Sequence, residues 1–178
     1  FVATVLDVGQ GQAIHVQTAT HDLLLDAGPP YGEVADAGER VVLPYLNAIG
    51  VRALDRLLIS HGDADHAGGV ASVLEEMPVA GLLGSLFPGH PLAAHPAVAF
   101  THCSSGQRWQ WDGVSFAVLH PDMERPRMRR ENDNSCVLQV AAGGMALLVS
   151  SDIERAAERE MVAREGEALR STVVVAPH

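Results

Sequence analysis

The fold is organised around the segment His61-Gly62-Asp63-Ala64-Asp65-His66-Ala67-Gly68-Gly69, in which two histidines and two aspartates fall within six residues. It follows a short apolar run at 57–59 that predicts a buried strand. After it, apolar residues recur with the spacing i, i+3, i+4, i+7, which predicts a helix over 67–77. The four polar side chains are therefore expected in a loop between a strand and a helix, where functional residues concentrate.

The composition of this loop favours a metal site. Two carboxylates crowded into one loop repel each other and resist desolvation unless a cation lies between them. A divalent ion, or a pair of such ions, removes that cost. The alternative is a polar loop with a helix cap, and Asp65 is placed to accept hydrogen bonds from the first N–H groups of the helix. A cap needs only one carboxylate, whereas this loop offers four candidate ligands.

The spacing His61-x-Asp63-x-Asp65-His66, followed by Gly68-Gly69, resembles the His-x-His-x-Asp-His signature of the metallo-β-lactamase superfamily. Asp63 stands where most members carry the second histidine. This variant is similar to the C-terminal hydrolase-like domain of the ComEC family of DNA-uptake (competence) proteins. The resemblance continues in segments spread along nearly the whole chain, at 6–13, 24–29, 42–46, 106–113, 132–138 and 151–154.

The resemblance implies an α/β fold of a particular architecture, the metallo-β-lactamase αββα sandwich, with two mixed sheets and outer helices. We expect residues 1–178 to form a single domain. Because the chain begins and ends inside strand-like segments, it is expected to be a fragment of a longer membrane protein, with the second half of the fold truncated. No run of roughly 18 apolar residues appears, so no transmembrane segment is predicted here. No signal peptide is visible either.

The resemblance also implies a metal-ligand set, and we assign its members as candidate ligands of two divalent ions. His61 and Asp63 are assigned to one ion, and Asp65 and His66 to the second. The full set is His61, Asp63, Asp65, His66, Asp152 and His178. Asp152 is the expected bridge between the ions, although Ser-Ser precedes it where the family has Thr-Gly. Asp65 and Asp152 are the candidate catalytic residues, Asp65 because it would also orient the attacking water.

The identity of the metal follows from the donor atoms. A carboxylate at position 63 makes the site richer in oxygen, which favours Mn²⁺ or Mg²⁺ without excluding Zn²⁺. Such ions lower the pKa of bound water, so that hydroxide is available near neutral pH.

Three functions remain open from the sequence. The first is a nuclease or phosphodiesterase that degrades the DNA strand that is not imported. The second is a small-molecule hydrolase acting on lactams or thioesters. The third is a non-catalytic domain of the DNA channel. The resemblance implies single-stranded DNA and the membrane channel portion of the same polypeptide as partners. It also implies an inner-membrane protein whose domain faces the periplasm.

The charge of the chain bears on the choice among these functions. The formal net charge is −10, which argues against a DNA-binding surface. Against this, Arg125, Arg127, Arg129 and Arg130 cluster in one segment, 124–131. A basic loop beside a metal site would hold phosphates, although a solvated loop is an equal alternative.

Several simpler predictions also follow from the sequence. Cys103 and Cys136 lack CxxC spacing and are expected to be buried thiols unless the fold brings them together. Trp109 and Trp111 alternate on a strand and are expected to serve packing. The histidines at 90, 95, 102 and 120 are expected at the surface rather than as ligands. Strands are predicted at 1–8, 12–18, 23–25, 78–83, 114–119, 136–140, 145–149 and 172–176. The first two are expected to form a hairpin about Gly9-Gln10-Gly11, and those at 136–140 and 145–149 a hairpin about Gly143-Gly144. Helices are predicted at 40–49, with Val42, Leu46 and Ile49 on one face, and at 153–164, capped by Asp152.

Overall fold

The structure is a computed structural model that describes residues 1–96, 98–122 and 130–177. The chain divides into two compact units, residues 1–102 and residues 103–178. Each unit contains one β-sheet. The strands are β1 (Val2–Val5), β2 (Ile14–Gln17), β3 (Asp22–Leu25), β4 (Arg56–Ile59), β5 (Leu82–Gly84), β6 (Phe100–His102), β7 (Arg108–Trp111), β8 (Val114–His120), β9 (Val137–Ala142), β10 (Met145–Val149) and β11 (Val173–Val175). The α-helices are α1 (Leu43–Ala48), α2 (Ala64–Ala67), α3 (Val70–Glu76) and α4 (Arg155–Glu165).

The first unit holds a sheet in the order β1-β2-β3-β4-β5-β6. The first three strands pair antiparallel, which confirms the predicted hairpin and third strand. From β3 to β6 the pairing is parallel. Strands β3 and β4 are apolar along almost their whole length, as buried parallel strands usually are. The sheet is therefore mixed, and its parallel half carries β4, the strand that leads into the histidine-rich loop.

The helices of the first unit depart from the sequence prediction in two places. The segment predicted as one helix over 67–77 is two, α2 and α3, separated at Gly68-Gly69. The segment predicted at 40–49 begins with a π-helical turn, Gly38–Val42, and continues as α1. Its apolar face is buried at Val42 and Leu46, but Ile49 is 44% exposed, so the prediction that Ile49 joins that face is wrong.

The second unit holds a sheet in the order β11-β10-β9-β8-β7. Strands β7 to β10 pair antiparallel, and β11 joins β10 in parallel. The predicted hairpin about Gly143-Gly144 is confirmed as β9 and β10. The predicted α/β class with two mixed sheets is thus confirmed in the part of the chain that is described.

The start of α4 differs from the prediction. The helix begins at Arg155 with Glu154 in the N-cap position, so the assignment of Asp152 as the cap is wrong. Its first turn is held instead by Asp133, whose Oδ1 accepts a hydrogen bond from the backbone N–H of Glu154 at 3.0 Å. Asp152 lies in the turn between β10 and α4, directly after Ser151, whose φ is +50°.

The two cysteines of the chain form a disulfide. Cys103 and Cys136 are both buried, and their Cα atoms lie 6.0 Å apart, within the usual range for a bridge. The prediction of buried free thiols is therefore wrong. Sequence spacing could not reveal the pairing, because 33 residues separate the cysteines and only the fold brings them together.

Trp109 and Trp111 face the same way on β7, as predicted. The Trp109 ring stacks on Phe116 with centroids 5.1 Å apart, and Trp111 meets the same phenylalanine edge-on at 5.0 Å. Phe116 is only 1% exposed, so both indoles serve packing. Among the residues that the structure describes, no helix is long and apolar enough to cross a membrane.

Candidate metal centre

The histidine-rich loop begins where β4 ends. Ser60 and His61 follow the last residue of that strand, and Asp63 precedes α2. The close packing of the loop requires glycine at position 69. A Cβ there would lie 2.3 Å from the carbonyl oxygen of Ala27 and 2.3 Å from the backbone nitrogen of Gly38. No larger residue fits this approach.

Asp26 is a buried carboxylate whose hydrogen bonds orient the side chains of the loop. It follows β3, and the parallel pairing of β3 with β4 brings it beside Ser60 at the same edge of the sheet. Asp26 Oδ2 lies 2.8 Å from Nδ1 of His66. A carboxylate only accepts, so Nδ1 of His66 carries the proton and Nε2 presents its lone pair. Asp26 itself has φ of +58°, a conformation that aspartate tolerates better than most residues.

Ser60 links Asp26 to the second histidine, His61, by hydrogen bonds. Its backbone N–H donates to Asp26 Oδ1 at 2.7 Å, and its hydroxyl donates to Asp26 Oδ2 at 2.6 Å. Since the hydroxyl proton is used, Ser60 Oγ is left to accept from Nδ1 of His61 at 3.0 Å. We therefore assign both imidazoles to the tautomer in which Nε2 is the ligand atom. Orientation of metal-binding histidines through Nδ1 is a common arrangement in metal sites.

The atoms available to a cation converge in this loop. The rings of His61 and His66 are both fully buried and lie 4.3 Å apart between centroids. Nε2 of His61 is buried and has no hydrogen-bond partner among the described residues. Oδ2 of Asp63 lies 3.5 Å from it, and that carboxylate is 46% exposed. A buried imidazole nitrogen without a partner, facing a carboxylate, fits a divalent metal because the metal would satisfy both groups.

The other three predicted ligands are Asp65, Asp152 and His178. Asp65 lies in the first turn of α2 and is half-buried; it is not the N-cap, since Asp63 occupies that position. Asp152 belongs to the second unit and is half-buried. His178 lies outside the described residues. The assignment of these three residues to metal ions, and the division of the loop between two ions, stay predictions.

The predicted phosphate-binding loop falls mostly outside the described residues, at 123–129. Of its four arginines only Arg130 is described, and it is 69% exposed and forms an ion pair with Glu154. The other histidines behave largely as predicted: His102 is exposed, and His90 caps a 3₁₀ turn by accepting from the backbone N–H of Leu92. His120 is an exception, because it is 3% exposed rather than at the surface.

His120 is held by a hydrogen bond rather than by a ligand role. Its Nε2 donates to the carbonyl oxygen of Asp133 at 2.8 Å. Burial lowers the pKa of His120, although the bond to Asp133 opposes that effect. The neutral ring is thus favoured in the folded protein.

Sequence reasoning missed three residues of the site, Gln12, Asp26 and Ser60. All three fall in or next to segments that carry the family resemblance, but no role was assigned to them. The available signal was positional: Asp26 and Ser60 each stand directly after an apolar strand. If the two strands are neighbours and parallel, their carboxyl ends meet at one edge of the sheet.

Comparison with known proteins identifies the superfamily to which the chain belongs. The model of the metallo-beta-lactamase superfamily matches residues 6–172, and the chain belongs to that superfamily. A metallo-β-lactamase from Cronobacter sakazakii, mutated in its HARLDQ motif, superposes with a TM-score of 0.67 at 18% identity. That match covers 96% of this chain and 75% of the other. The superfamily fold is therefore established, and it implies divalent metal binding.

Two curated relatives indicate a particular family within that superfamily. The chain is 42% identical over 175 residues to competence protein ComA of Neisseria gonorrhoeae, covering 98% of this chain and 23% of that protein. It is 30% identical over 178 residues to ComE operon protein 3 of Bacillus subtilis (strain 168), covering 88% and 23%. The resemblance to the ComEC family is confirmed. The chain spans about a quarter of the length of these relatives.

Proposed function

We propose that this chain is a metal-dependent phosphodiesterase that acts as a nuclease on single-stranded DNA, the strand that is not imported during uptake. The observation that carries the hydrolase part is the pair of buried imidazoles whose Nε2 atoms are presented by Asp26 and Ser60, with Asp63 beside one of them. The DNA part is supported by the likeness to competence proteins.

The residues of the chain divide the work in this proposal. His61, His66 and Asp63 would hold a divalent metal, which when bound lowers the pKa of its water so that hydroxide is available near neutral pH. Asp26 and Ser60 keep both imidazoles in the ligating tautomer. Asp65 would orient the attacking water, and Asp152 and His178 would complete the ligand set. Carboxylate ligands favour Mn²⁺ or Mg²⁺, and Zn²⁺ also suits the imidazoles.

The basic residues are unevenly distributed between the two units. Residues 1–102 carry eleven acidic side chains and only three arginines, a net charge of −8. Nine of the twelve basic residues lie within 103–178, and four of them are in the segment 124–131. Flanking phosphates of a DNA strand would therefore be held by arginines of that second part.

We also propose that the domain belongs to an inner-membrane protein and faces the periplasm, next to the channel portion of the same polypeptide. The disulfide Cys103–Cys136 supports this placement, because stable disulfides form in oxidising compartments and are rare in the cytosol. The single domain predicted over 1–178 would then be the extramembrane hydrolase part.

The test combines metal analysis with a substrate panel. The purified chain is expected to bind Mn²⁺ or Zn²⁺ and to cleave single-stranded DNA only with metal present. Asp65→Ala should abolish cleavage while the circular dichroism spectrum is unchanged. Cleavage of a β-lactam or a thioester in place of DNA would favour the small-molecule hydrolase, which the acidic first unit would suit. Absence of metal binding would leave the non-catalytic channel domain.

A further inference from the structure

Gln12 is a buried amide that follows the exposed tip of a turn. It lies between β1 and β2, where Gly9 and Gln10 are exposed, yet only 8% of Gln12 is accessible. An uncharged polar side chain is rarely buried to this degree unless its hydrogen bonds are satisfied. Its contacts therefore indicate what the burial serves.

Gln12 contacts the histidine-rich loop directly through its backbone, and its side chain reaches His66 of that loop through Asp26. Its side-chain Nε2 donates to Asp26 Oδ2 at 2.8 Å, the same oxygen that lies 2.8 Å from Nδ1 of His66. Its backbone N–H donates to the carbonyl oxygen of Asp65 at 3.1 Å. Its own carbonyl accepts from the backbone N–H of Gly28 at 2.9 Å, which anchors the turn to the segment after β3.

The chain is built to allow this approach. Gly11, the preceding residue, has φ of +139°, and a Cβ there would lie 2.2 Å from the carbonyl oxygen of Asp65. Any side chain at position 11 would push the turn away from α2. The close contact between the Gln12 turn and the loop thus depends on glycine at that position.

We infer that Gln12 is a positioning residue for the metal centre, acting through Asp26 on His66 and through its backbone on Asp65. This inference rests on the proposed metal-binding function. Asp26 Oδ2 is shared by three donors, the Gln12 amide, the Ser60 hydroxyl and the His66 imidazole. The amide fixes the position of this oxygen without adding a positive charge. The carboxylate therefore remains strongly accepting toward Nδ1 of His66 and keeps Nε2 as the ligand atom.

The experiment compares isosteric replacements of two glutamines. Gln12→Met keeps the volume of the side chain but removes the donor to Asp26. Gln17→Met is the matched control, because Gln17 Nε2 donates to Asp22 Oδ1 at 3.0 Å, a similar bond to a different aspartate. Gln10→Met controls for a change in the exposed part of the same turn. Mn²⁺ affinity is measured by titration calorimetry, and stability by urea unfolding of the metal-free protein.

Gln12→Met is expected to weaken Mn²⁺ binding by about 10-fold, the lower end of the range for a direct partner of a metal-ligating histidine, because Gln12 acts on His66 through Asp26. The two control variants should bind Mn²⁺ as the wild type does, even if Gln17→Met is less stable. Wild-type affinity in Gln12→Met would overturn the inference, and so would an equal loss of affinity in Gln17→Met. If Gln12→Met does not fold, Gln12→Asn keeps an amide but shortens its reach, and the same loss is expected.

A second readout separates this inference from the proposed function. In the metal-free protein, ¹⁵N NMR of the imidazoles reports which nitrogen of His66 carries the proton. The wild type should show the Nδ1–H tautomer, and Gln12→Met should show a mixture. If the wild type binds no metal, the proposed function fails, whereas a shifted tautomer would still support the positioning role. An unshifted tautomer in Gln12→Met would overturn it.

Discussion

The carboxylate of Asp26 lies 2.8 Å from Nδ1 of His66, and both side chains are fully buried. A second pair, Asp22 of β3 with His15 of β2, has a similar separation of 2.9 Å, but there the carboxylate meets Nε2 and is partly exposed. The two pairs thus differ in which imidazole nitrogen is left for other partners. Orientation through Nδ1, as in the first pair, is common for metal-binding histidines.

Asp26→Asn is expected to damage the site while keeping its shape. An amide in place of the carboxylate turns one acceptor into a donor, and it would then face the donors of Ser60, Gln12 or His66. We expect Mn²⁺ affinity to fall by about 10- to 100-fold and the free energy of unfolding to fall by about 1–3 kcal/mol. Calorimetry and urea unfolding measure the two effects. Asp22→Asn is the control, and an equal loss of metal affinity in that variant would contradict the assignment.

Asp63→His is expected to shift metal preference toward Zn²⁺. An imidazole would replace a hard carboxylate oxygen 3.5 Å from Nε2 of His61, and imidazole suits Zn²⁺ better than Mn²⁺. Titration of each metal into wild type and variant measures the ratio of the two affinities. Asp63→Asn, which retains an oxygen donor, should move the ratio less. An unchanged ratio in Asp63→His would mean that Asp63 is not a ligand.

Replacement of the four arginines within 124–131 by alanine is expected to weaken binding of single-stranded DNA. Each lost phosphate contact should reduce the slope of log K against log salt by about 0.7. Hydrolysis of a small nitrophenyl phosphodiester should change little, because the metal ligands are untouched. The control removes four arginines elsewhere, Arg40, Arg108, Arg155 and Arg170, for the same change in net charge. If both variants lose DNA binding equally, the effect is general charge rather than a phosphate-binding loop.

Reduction of the Cys103–Cys136 disulfide is expected to lower the free energy of unfolding by about 3–4 kcal/mol, from the loop entropy of a 33-residue separation. Guanidinium unfolding with and without a reductant measures this difference. A Cys103→Ser, Cys136→Ser double variant should resemble the reduced protein and should not respond to reductant. Equal stability of the oxidised and reduced protein would show that the bridge does not constrain the unfolded chain.

Stability is expected to fall as the pH drops through about 6.5, the ordinary pKa of histidine. Burial lowers the pKa of His15, despite the opposing hydrogen bond and charge of Asp22, so the folded protein resists a proton that the unfolded chain accepts. His120 acts in the same direction. Urea midpoints at pH 7.5 and below pH 6 should differ less in His15→Asn than in the wild type. Replacing the exposed His102 by asparagine should not reduce the difference.

Much of the fold could be predicted from local patterns. The apolar runs of β3 and β4, the turn at Gly143-Gly144 and the periodicity of α3 each depend on residues that are neighbours in the sequence. The spacing of His61, Asp63 and His66 likewise identified the candidate metal loop, because ligands this close in sequence must share one turn of chain.

Contacts between distant segments could not be predicted in this way. Asp26 meets His66 across 40 residues, and Cys103 meets Cys136 across 33, because the pairing of strands decides which chain segments become neighbours. The need for glycine at position 69 has the same origin, since Gly69 approaches the backbone of Ala27 and Gly38. Local sequence thus specified the chemistry of the loop. Which nitrogen each histidine presents was settled by folding, because a tautomer is set by partners that only the folded chain brings within hydrogen-bonding distance.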